Sequence, residues 1–323
     1  MPAAPSRISF VDLQPAVDCF LDDVLAGLGR SPKALSPKYF YDARGCELFE
    51  AICELPEYYP TRVEMALMAE HAAEMAAHLG SGCLLIEFGS GASRKTEELL
   101  RTLQPMAYVP VDIAEPALRA SMARLAVDFP QLPILAVCAD YLRPLRIPQL
   151  VAVSAARRVI YFPGSTIGNL TPEEAHGFLV KARELAGTNG AMLIGVDLKK
   201  DPAVLHAAYN DAQGVTAEFN LNLLRRINRE LAADFDLQQF RHVAFYNAVA
   251  GRIEMHVEST QVQTVTVSGR TFAFGAGERL HTENSCKYSI AEFQRLARAA
   301  GFAAERVWTD GGGCFAVHLL RAE

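Results

Sequence analysis

The 323-residue chain has no CxxC pair among its seven cysteines and no HxH or HExxH among its eight histidines. An odd set of scattered thiols argues against both a disulfide frame and a zinc site, so no bound metal is expected. Long apolar runs are missing too. None reaches the length of a membrane span, and MPAAPSRISF lacks the basic start and apolar stretch of a secretory signal. Nor is there an excess of positive charge: the net charge is -6, which disfavours nucleic acid or an anionic membrane as the main partner. No repeat or low-complexity tract occurs. With half its residues apolar, the chain reads as a cytoplasmic globular protein with room for one large domain or two.

What is present has a rhythm. Apolar residues three or four apart predict a helix in FVDLQPAVDCFLDDVLAGLG (10–29), and an alanine-rich helix is expected over 64–79. Five short apolar runs follow, separated by helical segments: CLLIEF (83–88), MAYVPVD (106–112), PILAVCA (133–139), RRVIYFPG (157–164) and AMLIGVDL (191–198). Strands alternating with helices predict an α/β fold with a parallel sheet covered on both faces. The helix before the last run is well marked: Thr171 caps it, Pro172 takes its first position, Glu174 completes a capping box and GTNG ends it. Residues 200–286 are too many for one crossover. They combine VTAEFNLNLLRRINREL with strand-like RHVAFYN, RIEMHVES and QVQTVTVSG, which suggests an inserted α+β domain. The α/β pattern resumes with IAEFQRLARAAGF and two strands, AERVWTD and CFAVHLLRA, able to close the sheet as a hairpin.

In an open α/β sheet ligands bind at the carboxyl ends of the strands. The first such turn is Glu87-Phe88-Gly89-Ser90-Gly91-Ala92-Ser93. A dinucleotide fingerprint needs a third glycine where Arg94 stands, and GxxxxGK[ST] is absent, so neither a dinucleotide nor a P-loop site is expected. An acid leading into a shortened glycine turn suits S-adenosylmethionine, whose amino acid end needs a counter-charge and backbone N–H groups. Asp112 ends the next strand, where a carboxylate can accept ribose hydroxyls. Asp140, after the third, suits the adenine amino group, with Tyr141 placed to stack on the ring.

Long stretches then carry a specific resemblance: KYFYDARGCELFEAICELPEYYPTR (38–62), FGSGASRKT (88–96), YVPVDIAEPAL (108–118), GSTIGNLTPEE (164–174), YNDAQGVTAEFNLNLLRRINRELAADFDL (209–237), RIEMHVES (252–259) and TENSCKYS (282–289). The chain resembles the histidine Nα-methyltransferases of ergothioneine biosynthesis over nearly its whole length. That resemblance implies a Rossmann-like class I methyltransferase domain (63–198 and 287–323) and a substrate-binding domain (8–62 and 199–286). The implied reaction is transfer of three methyl groups from S-adenosylmethionine to the α-amine of L-histidine, giving hercynine, by a monomer without nucleic acid or membrane partners.

Residue by residue, Asn169 resembles the asparagine that holds the amine. Tyr59 is similar to the tyrosine facing the same nitrogen, with Tyr58 beside it as the other choice. Tyr209 resembles the carboxylate-binding tyrosine, assisted by Asn220, while Glu283 and Ser285 resemble the pair that reads the imidazole, with Met255 lining that pocket. Tyr41 and Lys95 join Gly89, Ser90, Gly91, Asp112, Asp140 and Tyr141 as implied cofactor contacts. FGSGAS in place of an expected LGSGTS and the Pro163 of FPGS depart from the pattern without removing its glycines.

A carboxylate suits an imidazole N–H, and Ser285, two residues along a strand, projects to the same face as Glu283. Lys199, Lys200, Arg44, Arg225 and Arg226 read as ion-pair charges rather than site residues. Three other readings are open: a methyltransferase for another amine such as tryptophan, a silent cofactor-binding module, and a nicotinamide oxidoreductase. The last lacks its fingerprint, and a binding module would have no need of Tyr59, Asn169 and Glu283.

Overall fold

The computed structural model describes residues 8–13, 18–91, 94–143 and 157–323, and only the backbone of residues 18, 19, 94 and 95. The chain forms two compact units. The first takes Met1–Gln14, Pro60–Lys199 and Tyr288–Glu323, the second Pro15–Tyr59 and Lys200–Lys287.

In the first unit the strands are β1 (Ile8–Asp12), β2 (Leu84–Phe88), β3 (Ala107–Asp112), β4 (Ile134–Cys138), β5 (Arg158–Phe162), β6 (Ala191–Asp197), β12 (Phe302–Thr309) and β13 (Phe315–Ala322). They make one sheet in the order β1-β4-β3-β2-β5-β6-β13-β12. The five apolar runs of the sequence are β2 to β6, all parallel. β13 is antiparallel to β6, and β12 to β13, so the closing hairpin takes the expected place.

Strand alternation splits the buried residues between two cores. Leu84, Ile86 and Phe88 pack with Ala175, Phe178, Leu179 and Ala182 of α6 (Pro172–Ala186). Leu85 joins Leu67, Met68, Met75 and Leu79 of α3 (Tyr59–Leu79) on the opposite face. The capping box of α6 is present, with Thr171 Oγ1 accepting the Glu174 N–H at 3.2 Å and Glu174 accepting the Thr171 N–H at 2.9 Å. α4 (Arg94–Leu103), α5 (Glu115–Asp128) and α9 (Ile290–Ala299) complete the unit. No helix among the described residues is long and apolar enough to cross a membrane.

Two boundaries differ from the sequence reading. The expected helix over 10–29 begins only at Asp18, as α1 (Asp18–Leu28). Before it, Ile8–Asp12 is strand β1, paired parallel with β4, and so belongs to the sheet unit rather than to the domain assigned from residue 8. ISFVD is short and carries β-branched residues, and an open sheet edge offers it a full ladder of backbone bonds that local periodicity cannot reveal. Helix α3 starts one turn before residue 64 because Pro60 sits in its first turn, where a missing N–H costs nothing.

One packing point leads to the site. Glu64 of α3 is buried, and both its carboxylate oxygens accept the Gly164 N–H at 2.9 Å. Gly195 on β6 leaves the space for it: a Cβ there would lie 2.1 Å from Glu64 Oε1 and 3.0 Å from the Phe315 ring. Gly195→Ala should therefore push Glu64 off the loop and cost roughly 2–4 kcal/mol, combining overpacking with a lost charge-assisted bond. Urea unfolding of the variant checks this, and an unchanged midpoint would refute it.

In the second unit β11 (Arg279–Cys286), β8 (Arg252–Ser259) and β7 (Phe240–Asn247) form an antiparallel sheet, and β9 (Gln263–Val267) pairs with β10 (Arg270–Phe274). Besides α1 it holds α2 (Ala43–Glu54), α7 (Pro202–Ala208) and α8 (Val215–Leu231). The last buries Phe219, Leu223, Leu224 and Ile227, and Phe40, Tyr41 and Phe49 gather around Phe219 with ring centroids 4.6, 5.9 and 6.0 Å away. Arg225 pairs with Glu218 at 2.9 Å and Arg226 with Glu230 at 3.1 Å, as read from the sequence.

Candidate active site

At the end of β2 the glycine turn has the geometry of a ligand cradle. Gly89 and Gly91 have φ of 69° and 45°, and a Cβ on either would meet nothing within 4 Å. Space and left-handed backbone together are what a closely approaching ligand requires of glycine. Asp112, at the end of β3, fixes the turn: Oδ2 accepts the Gly91 N–H at 2.8 Å and Oδ1 the Ala114 N–H at 2.8 Å. Each oxygen keeps a lone pair for ribose hydroxyls. Burial raises the Asp112 carboxyl, against the N–H groups of Ala114 and Gly91. Ser121 Oγ donates to the Gly91 carbonyl at 2.8 Å from α5.

Asp140 Oδ1 accepts the Leu142 N–H at 3.0 Å, and Tyr141 is half-buried among the rings of Phe88, Phe162 and Phe178. Its hydroxyl is pushed up by burial and stays protonated. Ser90 is buried in the turn. The side chain of Lys95 lies outside the described residues, as do Ala92 and Ser93. One expectation is corrected. Glu87 does not face the turn; its carboxylate points into the core, accepting from Thr96 Oγ1 at 2.7 and 2.8 Å and from the Tyr108 hydroxyl. On a buried parallel strand alternate residues must point to either core, and Glu87 is held there by hydroxyl donors.

After β5 the chain passes through Gly164 (φ 76°) and Ser165 (φ 55°), two successive left-handed residues, into a 3-10 turn over Thr166–Asn169. Ser165 is held by its Oγ accepting the Asp197 N–H at 2.9 Å, and Gly164 by Glu64. A non-glycine residue in that conformation is strained and needs such bracing. Asn169 ends the turn, half-buried.

The second unit contains a small cavity of its own. Phe49, Tyr58, Tyr209, Phe219 and Met255 wall it, and Glu283 supplies its carboxyl. Burial pushes Glu283 up to about 7, with the Lys287 charge pulling it down. Beside it the Tyr209 hydroxyl lies 2.7 Å from Ser285 Oγ, and Lys287 Nζ donates to Ser285 Oγ at 2.8 Å and to the Tyr209 oxygen at 3.2 Å. Of the tyrosine pair, Tyr58 lines the cavity. Tyr59 does not; its hydroxyl lies 2.5 Å from Lys200 Nζ, which also sits over its ring. Tyr58 ends the loop before α3 and Tyr59 is the helix's first residue, so the two side chains part in direction. Burial holds the Tyr58 hydroxyl protonated. Lys200, read from sequence as an ion-pair charge, is thus placed on Tyr59, whereas Lys199 does pair with Glu292 at 2.6 Å.

A β-bulge aims Glu283. Leu280 faces Val257 and Glu283 faces Met255, so two residues sharing a face are three apart, with the register shift between His281 and Glu283. The extra residue, Thr282, is wholly buried and donates to Asn220 Oδ1 at 2.8 Å. Asn220 Nδ2 reaches the His256 carbonyl at 2.8 Å and His242 Nδ1 at 2.8 Å, and His242 Nε2 meets the Tyr209 carbonyl at 2.9 Å. Asn220 therefore belongs to the scaffold and does not assist Tyr209 as a direct contact. Replacing it with leucine should cost roughly 2–4 kcal/mol, because the Thr282 hydroxyl and the His256 carbonyl lose a buried partner. Histidine affinity should fall while S-adenosylhomocysteine still binds; calorimetry with both ligands tests this, and unchanged histidine affinity would count against it.

Of the residues picked from sequence, the first unit thus gathers Gly89, Ser90, Gly91, Asp112, Asp140 and Tyr141, and carries Asn169 on its own turn. The second gathers Tyr209, Met255, Glu283 and Ser285. Tyr41 stands edge-on to Phe49 at 5.7 Å in the second unit. Lys287, Glu64 and the Thr282 bulge were not singled out, although Lys287 continues the inward alternation of Glu283 and Ser285.

The strand order, the glycine turn after β2 and the acid at the end of β3 define a class I methyltransferase dependent on S-adenosylmethionine. The chain belongs to the family described as histidine-specific methyltransferase, SAM-dependent, whose model matches residues 20–322. It is 40% identical over 321 residues to a histidine N-alpha-methyltransferase of Mycolicibacterium smegmatis, spanning 97% of this chain and 98% of that one. To the protein of the same description from Mycobacterium tuberculosis it is 42% identical over 304 residues, 92% of this chain and 93% of that one. It is also 32% identical over 299 residues to Ergothioneine biosynthesis protein 1 of Neurospora crassa, 90% of this chain but 33% of that longer protein.

Proposed function

We propose that this chain methylates the α-amine of L-histidine three times, using S-adenosylmethionine, to give hercynine on the route to ergothioneine. The observation that carries the reading is the cavity holding Glu283, a buried carboxyl next to Met255 and aromatic walls, with the Tyr209-Ser285-Lys287 cluster alongside. Such a site matches a flat ring with an N–H at one end and a carboxylate at the other. The family match and the names of the relatives support the same substrate.

The sheet unit takes the cofactor and the unit of 15–59 and 200–287 takes the amino acid. Gly89, Ser90, Gly91, Asp112, Asp140 and Tyr141 hold S-adenosylmethionine, which supplies an activated methyl on a sulfonium. The chain's own contribution is alignment, and holding reactants in line is worth on the order of 7–11 kcal/mol. Glu283 and Ser285 read the imidazole, Tyr209 receives the carboxylate, and Met255 packs on the ring. The amine must be unprotonated to react: Asn169 accepts one N–H, and a hydroxyl of the Tyr58-Tyr59 pair takes another. Tyr59, whose oxygen accepts from Lys200 Nζ at 2.5 Å, is the one the resemblance assigns to that nitrogen.

The test is to incubate the protein with S-adenosylmethionine and each of the twenty amino acids and follow mass gain. Histidine alone should gain three methyl groups. No gain, or equal gain with tryptophan, would overturn the assignment.

A further inference from the structure

The bulge that aims Glu283 has a second fastening, on the face of the sheet turned away from the cavity. Glu283 stands opposite Met255, whereas His281 stands opposite His256 and Asn284 opposite Glu254, so both project from the other face. There His281 Nε2 lies 2.9 Å from Asn284 Oδ1. An amide oxygen only accepts, so the imidazole is the donor. Burial lowers the ring's affinity for a second proton, against the bond to Asn284 and the Glu254 charge. The ring is also fixed in place: it meets His256 at 5.0 Å, and His256 stacks on Phe245 at 5.4 Å. The backbone of His281 is tied as well, its N–H donating to the Lys33 carbonyl at 3.0 Å and its carbonyl accepting the Leu35 N–H at 2.9 Å.

Spacing makes the side-chain bond informative. Residues three apart in a regular strand point to opposite faces and cannot meet. His281 and Asn284 share a face because Thr282 is extra, so their bond exists only in the bulged register. A strand running on without the bulge would set Glu283 opposite Glu254, outside the cavity and carboxylate against carboxylate, and would break the bond in the same step.

We propose that the His281 to Asn284 bond is a clasp that selects the bulged register and so points Glu283 into the cavity, which makes both of them positioning residues for substrate recognition. The inference rests on the role given to Glu283 in reading histidine. Thr282 is fastened to Asn220 of α8, and the clasp closes the bulge from the opposite face.

A double-mutant cycle tests this. His281→Phe keeps a ring against His256 and removes the donor, while His281→Gln keeps a donor nitrogen. H281F should raise the KM for histidine about 10-fold with kcat less affected, and H281Q should stay within about 3-fold of the wild type. S-adenosylhomocysteine affinity should not change in either. With Glu283→Ala there is no carboxylate left to aim, so in that background H281F should alter kcat/KM for histidine by less than about 2-fold. An H281F effect of equal size with and without Glu283 overturns the proposal, and so does an H281F variant with wild-type KM. H281Q as impaired as H281F would trace the effect to ring packing and overturn it too. One readout needs no substrate. The Glu283 carboxyl, held at about 7 by burial, should titrate closer to its ordinary 4.5 in H281F when followed by carbon-13 NMR, and an unmoved midpoint overturns the clasp. Failure of the wild type to methylate histidine would defeat the substrate reading instead, and the titration would still decide the clasp.

Discussion

Replacing Glu283 by glutamine should weaken histidine binding by roughly 10- to 100-fold and, at the same time, stabilise the ligand-free protein above neutral pH. The affinity loss follows from exchanging a charge-assisted bond to the imidazole N–H for a neutral one. The stability gain follows from burial. The folded protein holds the Glu283 proton up to about pH 7, against an ordinary value of 4.5. Below pH 4.5 the residue is neutral in folded and unfolded chains alike, and its stabilising share is whole. As pH rises from 4.5 to 7 the unfolded chain releases the proton first, so stability falls, and above 7 the folded protein carries the full cost of a buried carboxylate. A shift of that size corresponds to on the order of 3 kcal/mol. Glutamine has no such titration. Urea midpoints of E283Q and wild type should coincide near pH 4.5 and separate in favour of E283Q by pH 8. A gap that does not change with pH would show that Glu283 is not held protonated by burial.

The second large effect is expected at Asp112. Its two oxygens each hold a backbone N–H, of Gly91 and of Ala114, at 2.8 Å. An asparagine in its place would have to turn an amide N–H toward one of these donors. Asp112→Asn should therefore release one arm of the glycine turn and remove the charge offered to the ribose hydroxyls. S-adenosylhomocysteine affinity should fall by about 2 kcal/mol or more, some 30-fold. The cavity that holds Glu283 lies in the other unit, so any binding of histidine alone should be unaffected. Calorimetric titration of the variant with each ligand separately makes the comparison, and wild-type affinity for the cofactor product would remove Asp112 from the site.

Much of this was legible in the residues. Five apolar runs, a capping box at Thr171 and a glycine turn without a third glycine are local signals, and each acts within a few residues of itself. They became β2 to β6, the cap of α6 and the cradle at Gly89 and Gly91. The resemblance of whole stretches pointed to Tyr209, Met255, Glu283 and Ser285, which the structure gathers in one unit. Three features lay beyond such reading. Ile8–Asp12 became a strand because an open edge beside β4 received it, an event decided more than a hundred residues away. Glu87, expected to face the turn, was drawn inward by Thr96 and Tyr108. Tyr58 and Tyr59 could not be told apart until a helix start set their directions.

By itself the sequence determined the alternation of strands and helices, the donor turn and the kinds of side chain available for a ring, an amine and a carboxylate, because these depend on neighbouring residues and their chemistry. Only the tertiary structure decided which face Glu283 occupies and what stands behind Ser285. A single buried extra residue, Thr282, held by Asn220 from helix α8, reverses the strand's alternation there, and an alternation reversed by a distant partner leaves no trace in the local pattern.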